Sequence, residues 1–334
     1  MRSPRERGEP KLLFEPETSK KGPGNSQPHF LPSESGARSI VYNVGSYTDR
    51  EIVVKNLETG EWEVLADGAF PRYSSSGHIL YQTAAFSPGL WALPFSLETL
   101  KPTGEAFPIA ENGGDPSVAA DGTLVYVDLL GGGQQQLVWR DRGGKKLGVI
   151  GQPQDRIRFP VLSPDGREVA ASSVENNNYD VWVHEVGRSL KRRLTFDAAT
   201  DGRPIWSPSG KEIAFRSARG QGDDNIYIRP ADGTGDPALL VGTPLEEKPN
   251  DWSRDGKYLL YGVRGEETGW DLWYLKRKGD GSGSESLPFL QTSFRETAAK
   301  FSPDSRFVAY GSDESGQNEV YVRPFPGGRG KSLR

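Results

Sequence analysis

The chain has 334 residues, with 41 basic against 45 acidic side chains and a net charge of −4. That balance offers no basic surplus for a nucleic-acid partner, and no apolar run approaches the roughly 18 residues of a membrane span. Cysteine is absent, which excludes disulfides, thiol nucleophiles and thiolate metal sites.

Residues 1–9 are charged and without periodicity, and are expected to form a disordered tail. They build no apolar core, so they do not read as a secretory signal. Residues 11–15, Lys-Leu-Leu-Phe-Glu, look like Arg193-Leu194-Thr195-Phe196-Asp197, which reads as the outer strand of a sheet. From residue 28 a unit repeats. Its clearest copy begins at Arg158: a short strand containing Pro160, the turn Ser163-Pro164-Asp165-Gly166, a returning strand over 169–173 and a third over 180–183. Pro presets φ, Asp bonds the backbone ahead and Gly accepts positive φ, so the turn has a chemical cause.

The turn recurs at Gly36, Gly77, Gly122, Gly166, Gly210, Gly256 and Ser305, at spacings of 41 to 49 residues. A period in the forties, four short strands long, predicts an all-β, seven-bladed β-propeller of four-stranded antiparallel blades. The blades are expected at about 28–65, 66–110, 111–150, 151–195, 196–241, 242–291 and 292–334, as one domain over 10–334. The last blade has three strands by Arg323. Residues 11–15 are expected to supply its fourth and close the ring, with residues 331–334 the alternative. Closure matters because an open ring exposes unpaired strand edges.

The Ser-Pro-Asp-Gly turns and third strands such as Ile226-Tyr227-Ile228-Arg229 and Val320-Tyr321-Val322-Arg323 resemble the WD40-like repeats of the TolB-type propeller superfamily. More narrowly, Arg193-Leu194-Thr195-Phe196-Asp197, Trp270-Asp271-Leu272-Trp273 and the stretch from Phe301 to Arg323-Pro324-Phe325-Pro326 are similar to the C-terminal propeller of bacterial membrane-anchored serine/threonine kinases. The resemblance implies a propeller that senses or binds. It brings no kinase chemistry: a Gly-rich loop followed by Val-Ala-Ile-Lys, a His-Arg-Asp and an Asp-Phe-Gly are all missing, and Arg254-Asp255 falls in a turn.

The sequence offers few catalytic candidates. The turn residues Asp121, Asp165 and Asp255 read as turn formers. Trp182, Trp206, Trp252 and Trp273 recur at matched positions and read as packing between blades. His29, His78 and His184 lack metal spacing and read as surface or hydrogen-bonded residues, and no Gly-x-Ser-x-Gly elbow occurs. Asp223 and Asp224 are the weak candidates for a structural calcium ion; otherwise no cofactor or metal is expected. The better candidates are the residues entering each innermost strand, expected in loops around one channel mouth: Arg72, Asp115, Arg158, Arg203, Lys248 and Glu296. Four are basic, which would draw in an acidic peptide or small anion, unless neighbours such as Asp201 and Glu247 neutralise them. These features predict a monomeric, non-catalytic module that binds a protein or peptide; an enzyme acting on carbohydrate or peptide in the funnel is the alternative. The default compartment is the cytoplasm, or the periplasm if the chain is cut from a larger protein.

Overall fold

The computed structural model describes residues 11–12, 25–33, 39–45, 50–83, 89–119, 121–129, 134–141, 145–175, 178–188, 190–220, 224–265, 269–278 and 283–326. The tail at 1–9 and the alternative closing segment at 331–334 lie outside them. Every regular element among these residues is a strand, and the strands form seven antiparallel sheets; five follow the chain in simple up-and-down order, and the second has two short outer strands, Lys101–Pro102 and Phe107–Ala110, both paired with Leu90–Ser96. Each blade begins with a strand against the channel: Asn25–Phe30, Ala69–Ser74, Gly113–Val118, Arg158–Leu162, Asp201–Trp206, Glu247–Trp252 and Glu296–Phe301. Each innermost strand contacts the next, and the seventh contacts the first, so the ring is closed.

The seventh blade is completed from the other end of the chain. Lys11–Leu12 pairs antiparallel with Glu319–Pro324, Lys11 opposite Val322 and Leu12 opposite Tyr321. Residues 13–15 of the expected closing strand lie outside the described residues. In blade four the outer strand is Lys191–Arg193 rather than 193–197. One further bond, Leu194 N–H to Val181 O at 2.8 Å, extends it before the Thr195 hydroxyl leaves the ladder for Asp180.

The repeated turn forms as its residues dictate. Ser163 Oγ donates to Asp165 Oδ1 at 2.6 Å and accepts from Glu168 N at 3.0 Å, while Gly166 N donates to Ser163 O. Ser253 with Asp255 and Ser302 with Asp304 repeat this. Asp121 accepts from Thr123 N, so these carboxylates are occupied with turn geometry.

Strand alternation buries one face of each sheet against the next blade. Trp206 packs with Ala170, Val181, Val183 and Leu194 of blade four and with Ile213 and Phe215 of its own blade. Its Nε1 donates across the junction to Val161 O at 3.0 Å. Trp252 sits in the equivalent junction with Ala214 and Ile226. Trp182 is buried beneath the Lys191 ammonium, 4.2 Å from the ring centroid.

One regularity was not anticipated. All seven innermost strands carry a one-residue bulge at the same place, for example between Arg158 (opposite Ser172) and Val161 (opposite Ala170). In six of them the bulge begins with a non-glycine residue at positive φ: Gln27, Phe70, Asp115, Phe159, Arg203 and Ala298, between +49° and +60°. Blade six has Pro249 there, whose ring forbids that conformation. A left-handed L-residue costs about 1–2 kcal/mol, and a β-branched one is worse placed. Ala298→Val should therefore lower stability by about 2 kcal/mol in urea melts; an unchanged midpoint would mean that the bulge relaxes freely.

Candidate functional site at the channel mouth

The bulge sets which side chains meet. All six candidates lie inside the innermost strands, not in the loops before them, and they fall in four tiers rather than one ring. Glu296 is the first residue of its strand, and Asp201 and Glu247 occupy the same register. Arg158 and Lys248 share the next tier, Asp115 and Arg203 the bulge itself, and Arg72 lies one tier beyond it with His29, Asp251 and Lys300.

That deepest tier crosses the channel. Arg72 of blade two experiences the charges of Asp115 and of Asp251 on the far side, and burial lowers its proton affinity. Lys300 Nζ donates to Asn250 O at 2.9 Å and to Asp251 Oδ1 at 3.4 Å, and Phe301 N donates to Asp251 Oδ2. His29, between Arg72 and Lys300, is lowered to about 3, by burial first and then by those two charges. It is neutral at physiological pH.

The mouth is more cationic. Arg203 lies 4.3 Å over the Phe159 ring, one blade back at the same register. Lys248 Nζ lies 3.3 Å from the centroid of Trp270. Burial and the charges of Arg203, Arg295 and Arg216 bring the Lys248 ammonium down to about 7. Arg216 is neutralised by Asp224 at 3.0 Å and Glu246 at 3.2 Å. Arg203, Lys248 and Arg295 have no ion pair among the described residues. Asp115, half-buried near Arg158 and Arg72, is raised by burial despite both cations.

Glu296, Asp201 and Glu247 serve otherwise. Asp201 is buried and accepts from Arg219 Nη2 at 2.6 Å, so it does not neutralise Arg203. Glu296 accepts from Thr292 Oγ1, but its second oxygen has no hydrogen-bond partner among the described residues. Neither oxygen of Glu247 has one, although Thr243 is close. Burial raises Glu247 to about 7 and Glu296 to about 8, with Asp271, Asp313 and Glu314 adding to the effect at Glu296. Sequence reading singled out Glu296 but took Asp201 and Glu247 for ion-pair partners of the mouth, and did not show that the three share one register.

The other candidates also resolve. Asp224 belongs to the Arg216 ion pair, and Asp223 lies outside the described residues. Among the described residues no three His, Cys, Asp or Glu side chains are grouped to hold a metal ion. His78 bonds Ser76 Oγ at 3.0 Å. His184 departs from expectation: it is 1% exposed, neither ring nitrogen has a partner among the described residues, and burial lowers it to about 4.

A closed ring of antiparallel blades with repeated Ser-x-Asp turns defines a β-propeller module. Residues 115–321 match the family described as the TolB beta propeller domain, and the chain belongs to that family. A Tol-Pal system protein TolB from Anaeromyxobacter dehalogenans (strain 2CP-C) is 30% identical over 135 residues, 40% of this chain and 30% of that protein. The chain thus matches less than a third of that relative's length. An oligogalacturonate lyase from Vibrio parahaemolyticus shares the fold over 97% of this chain and 94% of its own, with 18% identity and a TM-score of 0.69. So does the β-propeller domain of the Trilobed protease from Pyrococcus furiosus, over 93% and 95%, with 15% identity and a TM-score of 0.68; that domain is described as having an open Velcro topology. Here the corresponding seam is paired. No helix among the described residues is long and apolar enough to cross a membrane.

Proposed function

We propose that this propeller is a monomeric, non-catalytic binding module that takes an acidic peptide segment of a protein partner at its channel mouth. The observation that carries the reading is the set of cations without carboxylate partners, Arg203, Lys248 and Arg295, beside the exposed Arg158. A guanidinium already stacked and partly desolvated gives a stronger charge-assisted hydrogen bond than one in bulk water. Likeness to Tol-Pal system proteins supports a role beside another polypeptide, and no cofactor enters the reading.

Titration with fluorescein-labelled Asp/Glu-rich peptides at two salt concentrations tests it. Binding should weaken with salt. It should fall roughly tenfold to a hundredfold in Arg203→Gln, the loss of one charge-assisted contact, with thermal melting checked in parallel. Binding that ignores both the substitution and salt would overturn the reading. The fold shared with oligogalacturonate lyase supports a second one, an enzyme acting on an anionic carbohydrate at the same mouth; release of unsaturated product from oligogalacturonate would favour it.

A further inference from the structure

Lys248 sits on an aromatic face within reach of several arginine charges, so its ammonium is favoured by the ring and opposed by its charged neighbours. Its stem lies in a cradle opened by Gly262: a Cβ there would come within 3.2 Å of both Lys248 Cε and Trp270 Cε3. The amine rests on the Trp270 face and makes no hydrogen bond or ion pair among the described residues. The positive charges of Arg203, Arg295 and Arg216 act on it, and the negative charge of Glu246 opposes them. The acid that reaches this cluster, Glu246, has its oxygens committed to Arg216 at 3.2 Å and Arg264 at 3.4 Å. An ammonium adds one more like charge, whereas an anion on the same nitrogen would meet two guanidinium groups, Arg203 and Arg295, with no ion pair among the described residues.

We propose that Lys248 is a carbon dioxide-binding residue, held as a reversible carbamate at the channel mouth. The lone pair of the neutral amine attacks the carbon of CO2 and a C–N bond forms. The electrons of one C=O π bond move to oxygen, and a nitrogen proton leaves to solvent. Amine plus CO2 gives carbamate and one proton, with no oxidant or further reactant. Two features support the chemistry. The amine is held near 7 by burial and its cationic neighbours, so the nucleophilic form is abundant at neutral pH. Carbamate formation also converts repulsion from the arginines into attraction. A protonated imine with an aldehyde would keep the positive charge and gain nothing from them.

The test uses the intact protein equilibrated with 13C-labelled bicarbonate near neutral pH. The 13C spectrum is recorded, then the adduct is trapped with triethyloxonium and mapped by mass spectrometry. One carbamate resonance is expected, with the trapped group on the peptide bearing Lys248 and disappearance when CO2 is purged. Lys248→Arg and, as a second variant, Lys248→Gln should abolish it. Arg203→Gln should reduce occupancy roughly tenfold at fixed CO2, the value of one charge-assisted contact. No resonance from the folded wild-type protein, or trapping spread evenly over exposed lysines and retained in Lys248→Arg, would overturn the proposal. Peptide titration at the mouth is a separate readout, so either result leaves the binding reading to be judged on its own data.

Discussion

Replacing Trp206 with Ala is expected to lower the stability of the propeller by about 3–5 kcal/mol, the usual cost of truncating a buried aromatic side chain. Trp206 is 7% exposed, joins apolar residues of two blades and donates its indole N–H across their junction. Truncation would open a cavity and leave Val161 O without that donor. Trp206→Phe separates the two losses: it retains most of the packing and should recover more than half of the effect. Urea denaturation followed by far-ultraviolet circular dichroism measures both. A loss below about 1 kcal/mol in Trp206→Ala would mean that the junction repacks. The effect should also appear as faster unfolding, because the junction joins consecutive blades and opens with either of them.

The second large effect is a dependence of stability on pH set by Glu247 and Glu296. A carboxyl whose pKa is higher in the fold than in the unfolded chain takes up a proton on folding. Its favourable contribution is complete below the unfolded value and is lost as the pH climbs to the folded one. For these residues that window runs from about 4.5 to about 7 and about 8. His29 and His184 act in the opposite sense: both are held neutral by burial, so they cost stability as the pH falls below about 6.5, toward about 3 for His29 and about 4 for His184. Below about 6.5 the two sets largely offset each other. Above it the carboxyls dominate and stability should fall with rising pH, with Lys248 beginning to oppose the trend above about 7. Glu296→Gln removes the ionisation while keeping the shape. The substitution should stabilise the protein at pH about 8.5 relative to pH about 5 by about 3 kcal/mol, from roughly 1.4 kcal/mol per unit of displacement reduced for solvent relaxation. A constant difference across that range would show that Glu296 ionises freely.

The fold was legible because its signal is local and repeated. Among the described residues Ser163, Asp165 and Gly166 form the same turn as their copies at Gly77, Gly122, Gly210, Gly256 and Ser305, and the spacing between copies counts the blades. Matched Trp positions marked the junctions for the same reason. The site was less legible because the mark of the bulge, a proline after the positive-φ residue in five of the six blades (Pro28, Pro71, Pro116, Pro160 and Pro204), reads equally well as the start of a strand. Gln27, Phe70, Asp115, Phe159, Arg203 and Ala298 share a conformation but no chemistry. The extra residue shifts side-chain direction by one position, so six candidates chosen by counting toward the strand landed in four tiers. Asp201 and Glu247, acidic residues next to a run of cations, read as their partners, whereas they share the buried register of Glu296. The unpaired state of Lys248 depends on Trp270 and Gly262, which come from two further strands and which no linear spacing connects to it.

The pairing of Lys11 with Val322 gives the ring a folding order. Six blades are built from contiguous chain, and each can form from contacts between near neighbours in sequence. The seventh needs two segments separated by almost the whole domain, and bringing them together bears the largest loop-closure entropy in the molecule for only two paired residues on the described edge. That seam is therefore the last to be sealed and the first to part. Amide protons of Glu319–Pro324 that face it should exchange ahead of those between strands within any single blade. A protein that must yield under tension, or admit a strand from a partner, would do so there.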